Sequence, residues 1–205
     1  MNIILISPAV DSHKRTGKGL MMPQLSLYII KGLTPLNHNV KIIEEESEPI
    51  NFDEPCDLVG ISCMTANSTR AYEISKIFRE KGKTVVMGGV HPTILPDEAI
   101  NHCDSVVIGE AEGVWQNLLL DFQFGEIKKK YHNPTPDLDA YIPKDFSNLK
   151  NNRLFNLIPI MTTRGCPYNC DFCCVTNIYG KKSGIFRLKI LYGTLKNREK
   201  KTLCF

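Results

Sequence analysis

Short apolar segments alternate with helical patterns through the first 125 residues of this 205-residue chain. The apolar segments carry hydrophobic side chains at consecutive positions, which is typical of strands buried on both faces of a parallel sheet. This alternation predicts an α/β fold, a doubly wound parallel sheet of five strands over residues 1–125. The predicted strands are 2–7, 39–45, 57–62, 84–88 and 104–108, and the predicted helices are 22–33, 67–80, 97–101 and 112–122.

The residues after this domain have a different composition. Residues 126–155 are polar, contain three prolines and show little periodicity, so they are predicted to form a linker. The apolar run LIPIMTT, residues 157–163, then predicts the first strand of a second domain that covers residues 156–205.

The end of the chain is strongly basic. Residues 181–205 hold eight Lys or Arg and a single Glu. Such an abrupt switch indicates a truncated gene product, with out-of-frame residues from about Ser183 onward. The alternative is a genuine short protein with a basic tail.

Charge and hydropathy exclude several classes of protein. The formal net charge of +3 is concentrated in the tail, and the first 180 residues carry a slight excess of acidic side chains. The main body therefore lacks the basic surface of a nucleic-acid-binding protein. No run approaches the roughly 18 uncharged apolar residues of a membrane span, and the N-terminus lacks the basic region of a secretory signal. We expect a cytoplasmic protein with no nucleic-acid partner and no membrane span.

Four of the eight cysteines fall within residues 166–174. Cys166, Cys170 and Cys173 have the spacing C-x3-C-x2-C, which lets three thiolates on one loop converge on a metal. Structural zinc sites usually take four ligands, and no histidine follows His132. Three thiolates also suit an iron–sulfur cluster with one open iron. Zinc and unrelated thiols stay open as alternatives.

The remaining cysteines are not expected to bind metal. Without an export signal, a disulfide framework is a poor interpretation, because cytosolic thiols are normally kept reduced. Cys56 and Cys63 lie near or in a predicted strand and are expected to be small buried side chains. Cys174 follows Cys173 directly, has no place in the spacing, and is expected to be a packing residue.

The segment TTRGCPYNCDFCCV, residues 162–175, resembles the radical S-adenosylmethionine (SAM) family, with an aromatic residue before the last cysteine of the motif. The resemblance implies that Cys166, Cys170 and Cys173 hold a [4Fe-4S] cluster and that Phe172 belongs to the cofactor site. It also implies that the open iron binds SAM, which one electron cleaves to a 5′-deoxyadenosyl radical. The strand before the motif would begin a partial TIM-like barrel.

Three loops of the first domain resemble the cobalamin (B12)-binding domain found upstream of many radical SAM cores. They are GISCMTANSTRA after the third predicted strand, GGVHPTILPDEAI after the fourth and VIGEAEG at the end of the fifth. Together the two resemblances cover roughly residues 1–185, in the family's order. They imply a Rossmann- or flavodoxin-like cobalamin-binding domain followed by a radical SAM core that is truncated early.

Candidate cofactor contacts lie in the loops after the strands, because such sheets bind ligands outside the carboxyl ends of their strands. Glycines there leave the backbone bare, so that a flat ring or a nucleotide tail can approach closely. Hydroxyl groups at the same edge can bond a cofactor tail. The candidate cofactor-binding residues are Ser62, Thr65, Gly88, Gly89, Gly109 and Glu110.

Three polar residues at this edge keep two interpretations each. Glu110 could hydrogen-bond a ligand amide or hydroxyl, or it could cap the helix that follows. His13 follows Asp11, but Gly17 comes one residue too late for the cobalt-ligating pattern of the resemblance, so a solvated histidine is favoured. His91 could line the site or pin its loop by hydrogen bonding, and the second is favoured.

The resemblances imply an enzyme that transfers a methyl group from cobalamin to an unactivated carbon of a small-molecule substrate. An electron donor such as flavodoxin or ferredoxin would reduce the cluster. Only 32 residues follow Cys173, fewer than a barrel needs. A catalytically inactive cobalamin-binding module is therefore one alternative, and a non-catalytic metal-binding or electron-transfer protein is another.

Overall fold

The computed structural model describes residues 1–10, 23–133, 157–159, 161, 163–179, 184–185 and 202–204. Within these ranges, six parallel strands form one sheet in the order β2-β1-β3-β4-β5-β6. The chain moves outward in both directions from the β1–β3 pair, as in doubly wound sheets. The strands are β1 (Asn2–Ser7), β2 (Asn39–Glu44), β3 (Leu58–Ser62), β4 (Thr84–Gly88), β5 (Ser105–Gly109) and β6 (Lys130–Asn133).

The sixth strand corrects the predicted count of five. β6 pairs in parallel with β5 and lies inside the segment 126–155 that the sequence assigns to a linker. Its sequence KYHN has no apolar run, because β6 is at the edge of the sheet and Tyr131 is its buried hydrophobic residue. The Tyr131 hydroxyl donates to Asp121 Oδ2 at 2.7 Å. Residues 134–155 lie outside the described ranges.

Helices connect the strands. The first begins three residues after its predicted start, and the last begins only after Gly113, whose φ is 85°. The segment GGVHPTILP, predicted as a loop, contains a short helix that follows Gly89. The helices of this domain are α1 (Leu25–Leu33), α2 (Ser68–Glu80), α3 (Val90–Ile94), α4 (Pro96–Ala99) and α5 (Trp115–Gln123), and a 3₁₀ turn (Thr65–Asn67) precedes α2.

Both faces of the sheet are buried, as the consecutive apolar residues of the strands require. One core contains Leu5 of β1 together with side chains of α1 and α5. The other contains Ile4 of β1 together with Phe78 of α2. Neighbouring residues of one strand thus point to opposite cores, which explains why the strands are apolar throughout.

The later part of the chain is described in short pieces. α6 (Val175–Tyr179) follows the cysteine motif, and two two-stranded sheets are present. The predicted barrel stays a prediction. Most of the segment after Ser183 lies outside the described ranges. None of the helices within the described ranges has the length and hydropathy to cross a membrane. The strands of the two small sheets are β7 (Leu157–Pro159), β8 (Thr163–Arg164), β9 (Gly184–Ile185) and β10 (Thr202–Cys204), paired as β7–β10 and β8–β9.

Candidate functional site

A cavity of about 260 Å³ lies at the carboxyl ends of the central strands. The last residue of each of these strands lines it: Ser7, Ser62, Gly88 and Gly109. Parallel strands end together at this edge, with their loops beyond it. The cavity is therefore at the edge where the sequence predicts a ligand.

The floor of the cavity is apolar and includes Trp115. Its indole is buried, and Nε1 donates to Thr34 Oγ1 at 2.8 Å, so the ring is held in one orientation. Thr34 Oγ1 in turn donates to the carbonyl oxygen of Ile30. A Cβ at Gly60 would approach Leu5 Cδ2 to 2.8 Å, so glycine at this position preserves the packing beside the indole.

The predicted glycines line the cavity, but for different reasons. Gly89 has a φ of 98°, and a Cβ there would lie 2.6 Å from the Cys63 carbonyl oxygen. The backbone of the chain itself therefore requires this glycine. A Cβ at Gly88 would only touch Val107 Cβ at 3.6 Å, an ordinary contact. Gly88 is thus the position where the missing side chain adds open space.

The two predicted hydroxyl residues are in different places. Ser62 lines the cavity, whereas Thr65 is exposed and is not among its lining residues. Thr65 Oγ1 lies 3.3 Å from Nδ1 of His91, whose Nε2 lies 2.8 Å from the Tyr72 hydroxyl. The His91 backbone N–H donates to the Cys63 carbonyl. His91 therefore pins its loop, which confirms the favoured interpretation.

Three consecutive glutamates, residues 44–46, anchor the loop after β1. Glu45 and Glu46 accept hydrogen bonds from backbone N–H groups at the start of the loop, those of Ala9 and Val10. Glu44 accepts one from the backbone N–H of Gln24, at the end of the loop. The Glu45 carboxylate is buried and pairs with Arg70 at 2.6 Å. Residues 11–22, which include His13, lie outside the described ranges.

One cluster of charges joins the cavity to the segment before the cysteines. Arg164 Nη1 lies 3.0 Å from Glu110 Oε2, and Nη2 lies 2.6 Å from Glu112 Oε1. The exposed fractions of these side chains are 9% for Arg164, 17% for Glu110 and 4% for Glu112. All three residues line the cavity. A single guanidinium thus holds two carboxylates on the loop after β5.

Burial raises the pKa of Glu110 to about 7. The Arg164 guanidinium opposes this rise, and the neighbouring Glu112 carboxylate adds to it. Glu110 Oε1 is buried and has no hydrogen-bond partner among the described residues. The alternative role of Glu110 as a helix cap is wrong, because α5 begins at Trp115 and its N-cap makes no side-chain hydrogen bond.

The segment around the cysteines also forms part of the cavity wall. Met161, Arg164, Ile178 and Tyr179 line it together with residues of the sheet domain. α6, which carries Ile178 and Tyr179, contacts α3. The sequence did not predict these four residues, because nothing in a local pattern indicates which distant loop a side chain will meet.

The three cysteines of the motif are accessible. Cys170 is exposed, and Cys166 and Cys173 are half-buried. The Cys173 backbone N–H donates to the Cys170 carbonyl at 3.0 Å, which turns the loop between them. As placed, no three His, Cys, Asp or Glu side chains of the described ranges are grouped to hold a metal ion. Three thiols on one short loop nevertheless fit the donor set of an iron–sulfur cluster.

Two further residues of this segment, Phe172 and Cys174, lie neither in the cavity wall nor in the two cores. Phe172 is 93% exposed and does not line the cavity. Cys174 is exposed, so its expected packing role is wrong. The expected burial of Cys56 and Cys63 is confirmed.

Comparison with known proteins gives matches to both parts of the chain. Residues 20–119 match the model of a family described as "B12 binding domain". The chain is 37% identical over 184 residues to a bacteriochlorophyllide d C-8(2)-methyltransferase of Chlorobaculum tepidum, a match that covers 86% of this chain and 41% of that protein. It is 35% identical over 187 residues to a bacteriochlorophyllide d C-12(1)-methyltransferase of the same organism, which covers 87% and 41%.

A more distant match is a hopanoid C-2 methylase of Rhodopseudomonas palustris, 25% identical over 166 residues, covering 78% of this chain and 31% of that protein. The chain thus spans about two fifths of the length of the first curated relatives it matches. The residues that match the family model include β2, β3, β4 and β5.

Proposed function

Since the chain belongs to the family of proteins with a B12-binding domain, we propose that the cavity receives part of a cobalamin. We also propose that Cys166, Cys170 and Cys173 hold a [4Fe-4S] cluster that binds SAM. The reaction we propose is methyl transfer to an unactivated carbon of a small-molecule substrate. When bound, these groups would supply a transferable methyl and a means of generating a radical. The observation that carries the proposal is the shared wall: the strand ends and the cysteine segment line one cavity.

The size and lining of the cavity support a partial rather than a complete enclosure of the cofactor. Pockets that enclose a drug-sized ligand measure about 300–1,000 Å³, and this one measures about 260 Å³. An apolar ring of the cofactor tail would fit beside Trp115, with the remainder outside the edge of the sheet. Burial of such a ring against apolar side chains is favourable because it removes both from water.

Glu110 supplies a polar contact in this otherwise apolar site. Its Oε1 atom is buried and lacks a hydrogen-bond partner among the described residues, which costs free energy until a donor reaches it. An amide N–H or a hydroxyl of the ligand would supply that donor. Ser62 and Gly88 line the same cavity and offer a hydroxyl and open space.

The three thiols would converge as the cluster binds, since binding energy of this kind is commonly coupled to ordering of the ligand loop. They must stay reduced, which supports a cytoplasmic location. An electron donor such as flavodoxin or ferredoxin and a substrate other than a nucleic acid are parts of the same proposal.

Fluorescence of Trp115 tests cobalamin binding directly, because it is the single tryptophan and lines the cavity. We expect hydroxocobalamin to quench it saturably, since the corrin absorbs where tryptophan emits. The variant Ile30→Phe, which enlarges a half-buried residue of the cavity wall, should weaken binding by about tenfold. Ile77→Phe, the same change at a half-buried position of α2 outside the cavity, is the matched control. Absence of saturable quenching would overturn the cobalamin proposal.

A narrower second candidate is a cobalamin-binding module without turnover. It is favoured by the lining of the cavity, to which only four described residues beyond residue 133 contribute. Anaerobic reconstitution with iron and sulfide, followed by iron counting and EPR with and without SAM, separates the two. About four irons per chain and a spectrum that changes with SAM would support the enzyme. No cluster, or a cluster indifferent to SAM, would leave the binding module.

A further inference from the structure

The charge cluster between the two parts of the chain is a specific connection. Arg164 precedes Cys166 by two residues and lies on β8, while Glu110 and Glu112 lie on the loop between β5 and α5. The two terminal nitrogens of the guanidinium each face one carboxylate, at 3.0 and 2.6 Å. Both contacts are ion pairs, so the guanidinium has two negatively charged partners on one loop.

Because the side chains of Arg164, Glu110 and Glu112 are largely buried, the connection requires all three of them. Glu112 is almost fully buried, and Arg164 is nearly so. Removal of one partner from a buried ion pair leaves an uncompensated charge and is strongly destabilising. The local structure therefore depends on Arg164 being seated between the two glutamates.

Three further side chains from the cysteine segment reach the same cavity. Met161, Ile178 and Tyr179, from positions before and after the cysteine motif, line the cavity together with Arg164. The three-cysteine loop, residues 166–173, thus lies between two segments that reach the cavity wall.

We propose that Arg164 is a positioning residue whose pairing with Glu110 and Glu112 holds the start of the three-cysteine loop against the cavity wall. Loop and cavity then keep a single relative placement. This proposal rests on the proposed function for what the loop and the cavity bind. The pairing itself is a property of the chain and is tested without either cofactor.

The test measures the rate at which iodoacetamide modifies each cysteine of the full chain, by mass spectrometry, under anaerobic and metal-free conditions. Arg164→Gln should raise the rate at Cys166 by about threefold, because Cys166 is half-buried and loss of the two ion pairs favours local opening. Arg164→Lys keeps the positive charge but loses the two terminal nitrogens of the guanidinium, so it should raise the rate at Cys166 less. Arg70→Gln is the matched control, since Arg70 also bridges two glutamates, Glu45 and Glu73, outside the cavity lining.

Two comparisons make the result decisive. The buried Cys56 and Cys103, which lie outside the cavity lining, should keep their slow rates in Arg164→Gln, which separates local opening from general unfolding. If they react faster as well, the double variant Arg164→Glu with Glu112→Arg decides, because it restores an ion pair at the same place. Renewed protection of Cys166 supports the proposal. An unchanged rate at Cys166 in Arg164→Gln, or no protection in the exchanged pair, overturns it.

Failure of this proposal is distinguishable from failure of the proposed function. Hydroxocobalamin quenching of Trp115 is measured on the same proteins. Absence of quenching in the wild type would reject cobalamin binding, while a faster reaction of Cys166 in Arg164→Gln would still support positioning. Normal quenching together with an unchanged Cys166 rate would reject positioning alone.

Discussion

The sheet domain, residues 1–133, and the cysteine segment, residues 157–179, are stabilised in different ways. The sheet has a buried core on each face, and its cysteines are small parts of that packing. The cysteine segment exposes thiols and aromatic side chains, among them Tyr168 and Phe172. It contacts the sheet domain through the Arg164 cluster and through side chains at the cavity wall.

The difference shows which part is organised by burial and which part presents reactive groups. Packing in the sheet domain makes its thiols less reactive, because burial raises the pKa of Cys63 and of Cys103 to about 12. The cysteine segment presents its thiols at the surface beside the cavity. A stable sheet therefore supplies a fixed edge, and the segment beside it supplies the groups able to bind and react.

The largest expected contrast is in thiol reactivity. Cys170 should react with iodoacetamide at pH 7.5 about a thousandfold faster than Cys63, since the thiolate is the nucleophile and burial both raises the pKa of Cys63 and blocks access. Peptide mapping over a time course measures both rates in one sample. In urea the two rates should converge. Equal rates in native protein would mean that the two regions do not differ as the structure describes.

Two phenylalanines provide a matched test of stability. Phe78 is fully buried, with its ring 5.2 Å from that of Phe52, whereas Phe172 is 93% exposed. Phe78→Ala should lower the free energy of unfolding by about 3–5 kcal/mol through lost burial and a cavity. Phe172→Ala should change it by less than about 0.5 kcal/mol. Urea unfolding followed by Trp115 fluorescence measures both, and a comparable loss in the two variants would contradict the assignment of the core to the sheet domain.

A smaller effect is expected from pH at the boundary between the regions. The pKa of Glu110 is raised to about 7, mainly by burial, so the folded protein keeps this proton at a pH where the unfolded chain has lost it. Stability should therefore fall as pH rises from about 4.5 to 7, by no more than about 3 kcal/mol. Glu110→Gln should flatten this part of the profile.

Urea midpoints of wild type and Glu110→Gln at pH 5, 6 and 7 provide the measurement. Glu73→Gln is the control, because Glu73 is an exposed partner of Arg70 on α2. Parallel profiles for wild type and Glu110→Gln would show that this carboxyl does not hold its proton in the folded state.

Much of the fold and part of the site followed from local patterns. Consecutive apolar residues in segments such as NIILIS specify a strand buried on both faces, because each neighbour needs a different core. The alternation with helices then places all strand ends at one edge, and the cavity is there. The spacing of Cys166, Cys170 and Cys173 is likewise local, so its chemistry could be proposed from the motif.

The other features depend on contacts between residues far apart in the chain. KYHN becomes β6 only because β5 offers a free edge, and Gly89 is required only because the Cys63 carbonyl lies beside it. Arg164 meets Glu110 across more than fifty positions, and no local periodicity encodes that meeting. Spacing along the chain specifies which groups are available. Packing of distant segments specifies which of those groups face one another, and in this protein that packing puts Arg164 at the cavity wall.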